Sequence, residues 1–493
     1  MKVRELLACI ETPAVHGPAE AEVQGIACDS RQVRPGTVFV ALRGLHQDGW
    51  RFAAEAVRRG AVAVVSEHDP GAGRAPFGPR VCLARVADAR RALADLSAAF
   101  YNHPAAGLLT VGITGTNGKT TTAYMVRDVL RADGRSPGLI STVQYEVGER
   151  VIPAMRTTPE APALQALLAQ MVDAGCGSAV MEVSSHALDQ QRVSGADIDI
   201  AVFTNLTRDH LDYHGSMQAY FDAKMRLFRA LGRGGKDGVA VVNTDDPWGQ
   251  RIANAADVAA ERLTYGTDPT AAIQARDIRL GAEGSTFRVL TPWGEAEIRT
   301  ALMGRFNVSN LLAALGTVCA AGVQLDLAVR VLGSETSVTG RLERIANPLG
   351  FQVFVDYAHT DDALKHVLAT LREVTARRLI VVVGCGGNRD RSKRPAMGAA
   401  AARLADAAVL TADNPRGEDP REIIREMEEG FPRRAAYEVI VDRREAIFHA
   451  IAMAEPGDVV LIAGKGHETF QEFANRTAPF DDRQVAREAL EQR

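Results

Sequence analysis

The sequence predicts an α/β protein of three domains, each built on a mainly parallel sheet. Three observations carry that expectation. Short apolar runs alternate with segments of helical period along nearly the whole chain, the pattern of parallel sheets covered on both faces. At 493 residues the chain exceeds what one hydrophobic core supports. Two polar stretches, 101-YNHP-104 and 334-SETSVTGRLE-343, interrupt the alternation where linkers are expected.

Residues 1–103 hold the runs TVFVAL (37–42), AVAVVS (61–66) and VCLARV (81–86), with a helix of period near 3.6 over 88–100. A small α/β domain fits them. Residues 104–335 hold LLTVGIT (108–114), SAVMEV (178–183), DIAVF (199–203) and GVAVV (238–242), expected as a P-loop-type doubly wound sheet. Within them, 260–303 show alternating strands with Gly and Pro turns, which predicts a small antiparallel insert. Residues 336–493 repeat the alternation with FQVFVDY (351–357), RLIVVVG (378–384), AAVLTA (407–412), YEVIVD (437–442) and DVVLIAG (458–464), a Rossmann-like domain. Ligands of open parallel sheets bind beyond the carboxyl ends of the strands. Nearly all the unusual polar residues lie just after such strands.

Composition excludes several classes. A net charge of -4 and a pI near 6.3 give no electrostatic case for nucleic acid or an anionic membrane. The six cysteines are scattered without a C-x-x-C pair, as in a reducing compartment without a structural zinc. The N-terminus has no apolar leader, and no window reaches the roughly 18 apolar residues of a membrane span. A cytoplasmic location is expected. Of 57 basic residues only seven are lysine: Lys2, Lys119, Lys224, Lys236, Lys365, Lys393 and Lys465. Where Arg serves as the generic cation, a remaining Lys is a candidate for work that a guanidinium cannot do.

The run LLTVGIT leads into 115-GTNGKTTT-122. Glycines let backbone N–H groups approach phosphate oxygens, a lysine reaches the terminal phosphates, and a Thr hydroxyl can ligate Mg²⁺. The strict G-x-x-x-x-G-K-[ST] spacing is missed, because Ile113 stands where the first Gly belongs. Gly115, Thr116, Asn117, Gly118, Lys119, Thr120 and Thr121 are therefore the expected triphosphate site. Glu182 ends an apolar run, where a lone carboxylate is costly unless paired or metal-bound. Asp209, His210, Asp212 and His214 cluster after another. Thr120 and Glu182, with His210, are candidate Mg²⁺ ligands. Lys224, if buried, would lose its proton and could take up CO₂ as a carbamate, adding a carboxylate beside the metal.

The order GTNGKT, MEVSSHAL, TNLTRDHLDYHGSMQAYFDAK, GRFNVSN (304–310), TGRLE (339–343) and DYAHT (356–360) resembles the Mur ligase family across essentially the whole chain. Its members are ATP-dependent acid–amino-acid ligases of peptidoglycan precursor synthesis, with relatives among folylpolyglutamate synthases. The resemblance implies catalytic roles for Lys119, Lys224, His210 and Glu182. It implies two Mg²⁺ ions and ATP contacts from Asn307, Arg341 and Asp356. The stretches 27-ACDSRQVRPGTVFVAL-42 and 44-GLHQDGW-50 resemble the UDP-sugar domain of the MurE branch, so Cys28, Ser30, His46 and Gln47 would hold the uridine diphosphate. Thr157, Thr158, Ser184, Gln190 and Arg192 would hold the MurNAc-dipeptide. Arg156 stands where the family often has Asn.

Last comes 411-TADNPRGEDP-420, whose Asp413, Asn414, Pro415 and Arg416 fall between a strand and a helix. In this family DNPR marks the branch that adds meso-diaminopimelate, with the Arg on the distal carboxylate. A planar guanidinium binds a carboxylate bidentately. Arg389, Gly464 and Glu468 complete the implied amino-acid site. The expected protein is a monomer that joins meso-diaminopimelate to UDP-MurNAc-L-Ala-D-Glu. The rival readings are a lysine-adding Mur ligase, a folylpolyglutamate-synthase-like ligase, which would share the ATP core but not the first domain or DNPR, and a nucleotide-binding subunit without catalysis.

Overall fold

Three large sheets and a two-stranded one, Phe470–Phe473 with Arg476–Pro479, organise the computed structural model, which describes residues 1–11, 14–44, 47–68, 77–78, 80–232, 237–334, 338–432 and 434–493. The first has the order Ala14–His16, Cys82–Arg85, Ala61–Ser66, Thr37–Ala41, Gly25–Ala27, with all neighbours parallel except the Ala14–His16 pair. The helix Ala89–Phe100 starts at Asp88, whose carboxylate accepts from the amides of Arg90 and Arg91, satisfying two otherwise unpaired donors. Its Leu93 and Leu96 pack with Val38 and Val40 of the sheet.

The central sheet has eleven strands. Its middle is parallel: Glu261–Gly266, Val239–Asn243, Ile200–Phe203, Leu109–Thr114, Ser178–Glu182 and Pro137–Ile140. These strands alternate β-branched and small apolar residues on both faces. Val111, Ile113 and Val180 meet the helices Lys119–Ala132 and Arg305–Ala320 on one side. Ala179, Met181 and Phe203 meet Ala161–Asp173 and Met217–Ala230 on the other.

The antiparallel strands expected at 260–303 are present as Ile273–Gly281, Gly284–Thr291 and Gly294–Thr300. They are continuous with the central sheet, because Tyr265 and Gly266 pair in parallel with Ile273 and Gln274. A second antiparallel meander, through Gln144–Val147 and Arg150–Pro153, closes the opposite edge. Sequence reading passed over it, although Gly148-Glu149 is a two-residue Gly-X turn of the kind that joins hairpin strands.

The third sheet has the order Glu343–Ile345, Gln352–Asp356, Val459–Ala463, Leu379–Val383, Ala407–Leu410, Tyr437–Val439, parallel except at Glu343–Ile345. The last strand is shorter than the run 437–442 suggested. Behind this sheet Arg443 and Asp482 form a fully buried pair at 2.7 and 2.8 Å. Arg443 also donates to Ala463 O (2.9 Å), at the end of a strand that leads into the site. Removing one partner of such a pair leaves an uncompensated charge. Asp482→Ala should cost about 3–5 kcal/mol in denaturant unfolding followed by a probe on the third sheet; a loss below about 1 kcal/mol would show that the pair behaves like a surface one.

Candidate active site

The strand Leu109–Thr114 delivers the loop 115–118 to the start of the helix Lys119–Ala132. Gly118 sits at φ +86°, left-handed backbone that favours glycine. Lys119 Nζ donates to Gly115 O (2.9 Å) and Thr116 O (2.8 Å). Lys224, on the helix Met217–Ala230, donates to the same Gly115 O at 2.9 Å and lies 4.7 Å over the Tyr220 ring. Two amines thus converge on one carbonyl oxygen. Lys224 is 1% exposed. Burial first, then the charge of Lys119, holds it well below the ordinary lysine range. Burial lowers Lys119 too, with Glu182 acting the other way.

Glu182, at the end of Ser178–Glu182 and fully buried, accepts from Thr142 N (2.8 Å) and Thr142 Oγ1 (3.1 Å). Thr142 Oγ1 in turn lies 3.1 Å from Thr157 Oγ1, from which it can accept. Thr158 Oγ1 donates to Glu182 O (2.8 Å) and lies 3.4 Å from Ser184 Oγ. Arg192 donates to Thr158 O (3.0 Å) and to Gln190 Oε1 (2.6 Å). So Thr157, Thr158, Ser184, Gln190 and Arg192 form one connected patch against Glu182. His210 has φ +54°, with its ring 4.8 Å from His186 and Nε2 3.3 Å from Asp209. Burial lowers its imidazole.

Residues from the second polar stretch onward reach this centre. Arg341 Nη2 donates to Thr120 Oγ1 (3.0 Å), with its guanidinium 4.6 Å from the Tyr357 ring. Arg208 pairs with Asp361 (3.1 Å), and Asn117 Nδ2 lies 3.4 Å from Asp362. Asp356 uses both carboxylate oxygens on the amides of Leu342 (2.6 Å) and Ala358 (2.8 Å), so it fixes the backbone beside Arg341. Asn307 bonds Met303 O (2.9 Å) and Asn310 (3.2 Å).

Beyond the third sheet, Asn414 donates to Glu468 (2.8 Å), and Lys465 Nζ joins both, at 2.9 Å to Asn414 Oδ1 and 2.7 Å to Glu468. Gly464 has φ +117°, and a side chain there would meet Asp413 Oδ2 at 2.6 Å. Arg416 donates from Nε to Glu472 (2.7 Å) and from Nη1 to Gly387 O (3.0 Å). Arg389 is exposed on the neighbouring loop and bonds Asn388 O (3.1 Å). Pro415 O accepts from Glu418 N (3.0 Å).

With this geometry in place, comparison with known proteins gives a consistent answer. Residues 113–318 match the family model described as Mur ligase middle domain, 340–466 the glutamate ligase domain, and 22–101 the Mur ligase family catalytic domain. The UDP-N-acetylmuramoyl-L-alanyl-D-glutamate--2,6-diaminopimelate ligase of Geobacillus kaustophilus is 46% identical over the whole of both chains. The chain belongs to the Mur ligase family. The enzyme of the same title from Geobacter sulfurreducens is 43% identical, over 99% of this chain and 98% of that one. A solved structure with that title superposes with TM-score 0.70 at 34% identity, covering 100% of this chain and 99% of the other. A MurF from Acinetobacter baumannii shares the fold at TM-score 0.66 and 20% identity, covering 99% and 98%.

Seen as a Mur ligase, the chain brings most of the expected residues into two connected groups, one around Lys119 and Glu182 and one around Asn414 and Glu468. At the N-terminal end Ser30 Oγ bonds Glu55 (3.3 Å), and burial raises the Cys28 thiol to about 11. Gln47 O accepts from Gly44 N (3.0 Å). His46 lies outside the described residues. Sequence reading assigned no role to Thr142, Tyr220, Lys465 or Glu472. The scarcity of lysine pointed to Lys465; Glu472 carries no local signal.

His359 gives a pH test. Burial first, then Lys393, lowers its imidazole from 6.5 to about 4. The unfolded chain therefore binds a proton that the native state refuses, and stability falls as pH drops from 6.5 toward 4. In His359→Gln the unfolding free energy should fall less steeply across that window; equal slopes would refute the assignment.

Proposed function

We propose that the chain joins meso-diaminopimelate to the D-Glu γ-carboxylate of UDP-MurNAc-L-Ala-D-Glu at the expense of ATP, in the cytoplasm and as a monomer. The carrying observation is that Arg416 and Glu468 stand on adjoining loops, joined through Asn414, which donates to Glu468 (2.8 Å) two residues before Arg416. A guanidinium and a carboxylate together match an amino acid whose far end bears both a carboxylate and an ammonium group. L-Lysine lacks that carboxylate and would leave Arg416 with only Glu472 and Gly387 O.

In this reading residues 1–103 hold the uridine diphosphate, 104–335 the ATP and 336–493 the amino acid. Thr157, Thr158, Ser184, Gln190 and Arg192 line the dipeptide toward Glu182 and Lys119. The γ-carboxylate attacks the γ-phosphate of ATP, the β–γ bond breaks and ADP leaves. Lys119 screens the charge on the transferring group. The amine of diaminopimelate then attacks the acyl phosphate, loses a proton and expels inorganic phosphate. Arg341, Asn307 and the backbone fixed by Asp356 border the nucleotide. Arg208–Asp361 and Asn117–Asp362 link the central and third sheets around the acyl phosphate, which water must not reach.

The oxygen donors Thr120 Oγ1 and Glu182 suit Mg²⁺, which takes oxygen ligands and shares them with phosphates; His210 would add a nitrogen beside them. When bound, the ion supplies charge screening and polarisation of the phosphoryl oxygens. Burial of Lys224 supports a neutral amine able to add CO₂, releasing a proton and giving a carbamate that could hold a second Mg²⁺.

Phosphate release with ATP, Mg²⁺ and UDP-MurNAc-L-Ala-D-Glu should require meso-diaminopimelate and fail with L-lysine; equal turnover with lysine refutes the role of Arg416. Arg416→Ala should lower kcat/KM for diaminopimelate about 100-fold or more. Lys224→Ala should be inactive with or without bicarbonate, and near-full activity would sink the carbamate.

A further inference from the structure

The loop 384–392 carries Arg389 and the loop 411–419 carries Arg416. Four contacts stitch them together, and the helix that follows the first loop adds a clamp. Gly387 N donates to Asn414 O (2.9 Å) and Gly417 N to Asn388 Oδ1 (2.8 Å). Arg416 Nη1 donates to Gly387 O (3.0 Å). The Asn388 amide donates to Glu418 Oε1. Arg394, fully buried at the start of the helix Lys393–Leu404, grips both Glu418 oxygens at 2.9 Å in the bidentate geometry that fixes orientation as well as distance. A second carboxylate, Glu426, holds Arg394 Nη1 at 2.8 Å. The two loop arginines flank one glycine: a side chain at Gly386 would meet Arg416 Nη1 at 3.0 Å and Arg389 Cγ at 3.9 Å.

Glu418 thus bonds the Arg389 loop through the Asn388 amide, while belonging to the Arg416 loop. Its anchor is a guanidinium that water does not reach. The Arg394 hydrogen bonds hold its carboxyl down at about 2, so it stays ionised at any working pH. No substrate atom need touch it.

We propose that Glu418 is a positioning residue for amino-acid selectivity: clamped by Arg394, it sets the spacing between Arg389 and Arg416 and so the fit of an amino acid with two carboxylates. The proposal rests on the reading of Arg416 as the distal-carboxylate ligand. Glu418→Gln keeps the size and an acceptor but gives up the charged bidentate clamp. Asn388→Gly removes the acceptor for Gly417 N while tolerating the φ of +53° at that position.

The test is steady-state kinetics of the full-length enzyme with meso-diaminopimelate and L-lysine, with the melting temperature of each variant measured alongside. Glu418→Gln should raise the KM for diaminopimelate about tenfold, lower kcat much less, and leave the KM for ATP and for the UDP-dipeptide unchanged. The ratio of kcat/KM for diaminopimelate to that for lysine should narrow. In an Arg416→Ala background the same change should add little, since both act through one contact. An unchanged ratio in a normally melting Glu418→Gln enzyme, or full additivity with Arg416→Ala, overturns the proposal. If Glu418→Gln fails to fold, Asn388→Gly decides by the same ratio. If Arg416→Ala itself leaves diaminopimelate kinetics unchanged, the assignment of Arg416 is wrong and this proposal falls with it; a shifted Arg416→Ala beside unshifted Glu418→Gln and Asn388→Gly enzymes overturns the proposal alone.

Discussion

Two lysine amines share the carbonyl oxygen of Gly115, and much of the central site depends on that contact. Like charges at such range in a buried place cannot both be held cheaply. The oxygen offers one dipole to two ammonium groups, and Glu182 supplies counter-charge to Lys119 alone among the groups that shift the two amines. The balance holds Lys224 well below the ordinary lysine range. The chain separates two tasks that look alike in sequence, because one lysine stands at a helix start on a glycine loop and the other lies across a tyrosine ring on a different helix.

The sheets convert this local balance into a site. Parallel strands put their carboxyl ends on one edge, so Thr114, Glu182 and Phe203 end beside one another, and the loops after them meet. The third sheet repeats the arrangement with Asp356, Ala463, Val383 and Leu410. Behind it the Arg443–Asp482 pair sits under the end of the Val459–Ala463 strand and fixes where Gly464, Lys465 and Glu468 emerge. The loop that carries Gly464, Lys465 and Glu468 is thus placed by a charge pair buried behind the sheet.

Much of this was legible in the sequence. Strand–helix alternation gave the parallel sheets, since residues buried on both faces leave uninterrupted apolar runs. The glycine loop, Glu182 at a strand end and DNPR were visible because each breaks the local rule for its place. What stayed hidden depends on distance across the fold. Nothing near Thr142 announces that it will cap Glu182, nothing near Glu472 announces that it will hold Arg416, and nothing near Asp356 announces that its two oxygens will hold the amides of Leu342 and Ala358. The hairpin at 144–153 was missed because its strands are short and one of them is largely exposed, so no apolar run marks it.

The hydrogen bond from Arg341 to Thr120 has a thermodynamic meaning. It ties the start of the phosphate-loop helix to the segment that opens the third sheet. A ligand that takes the same lone pair of the Thr120 hydroxyl competes with that guanidinium. By reciprocity, whatever shifts the third sheet changes the affinity at the phosphate loop by the same factor. One side chain thereby makes the start of the Lys119–Ala132 helix and the segment that opens the third sheet parts of a single equilibrium.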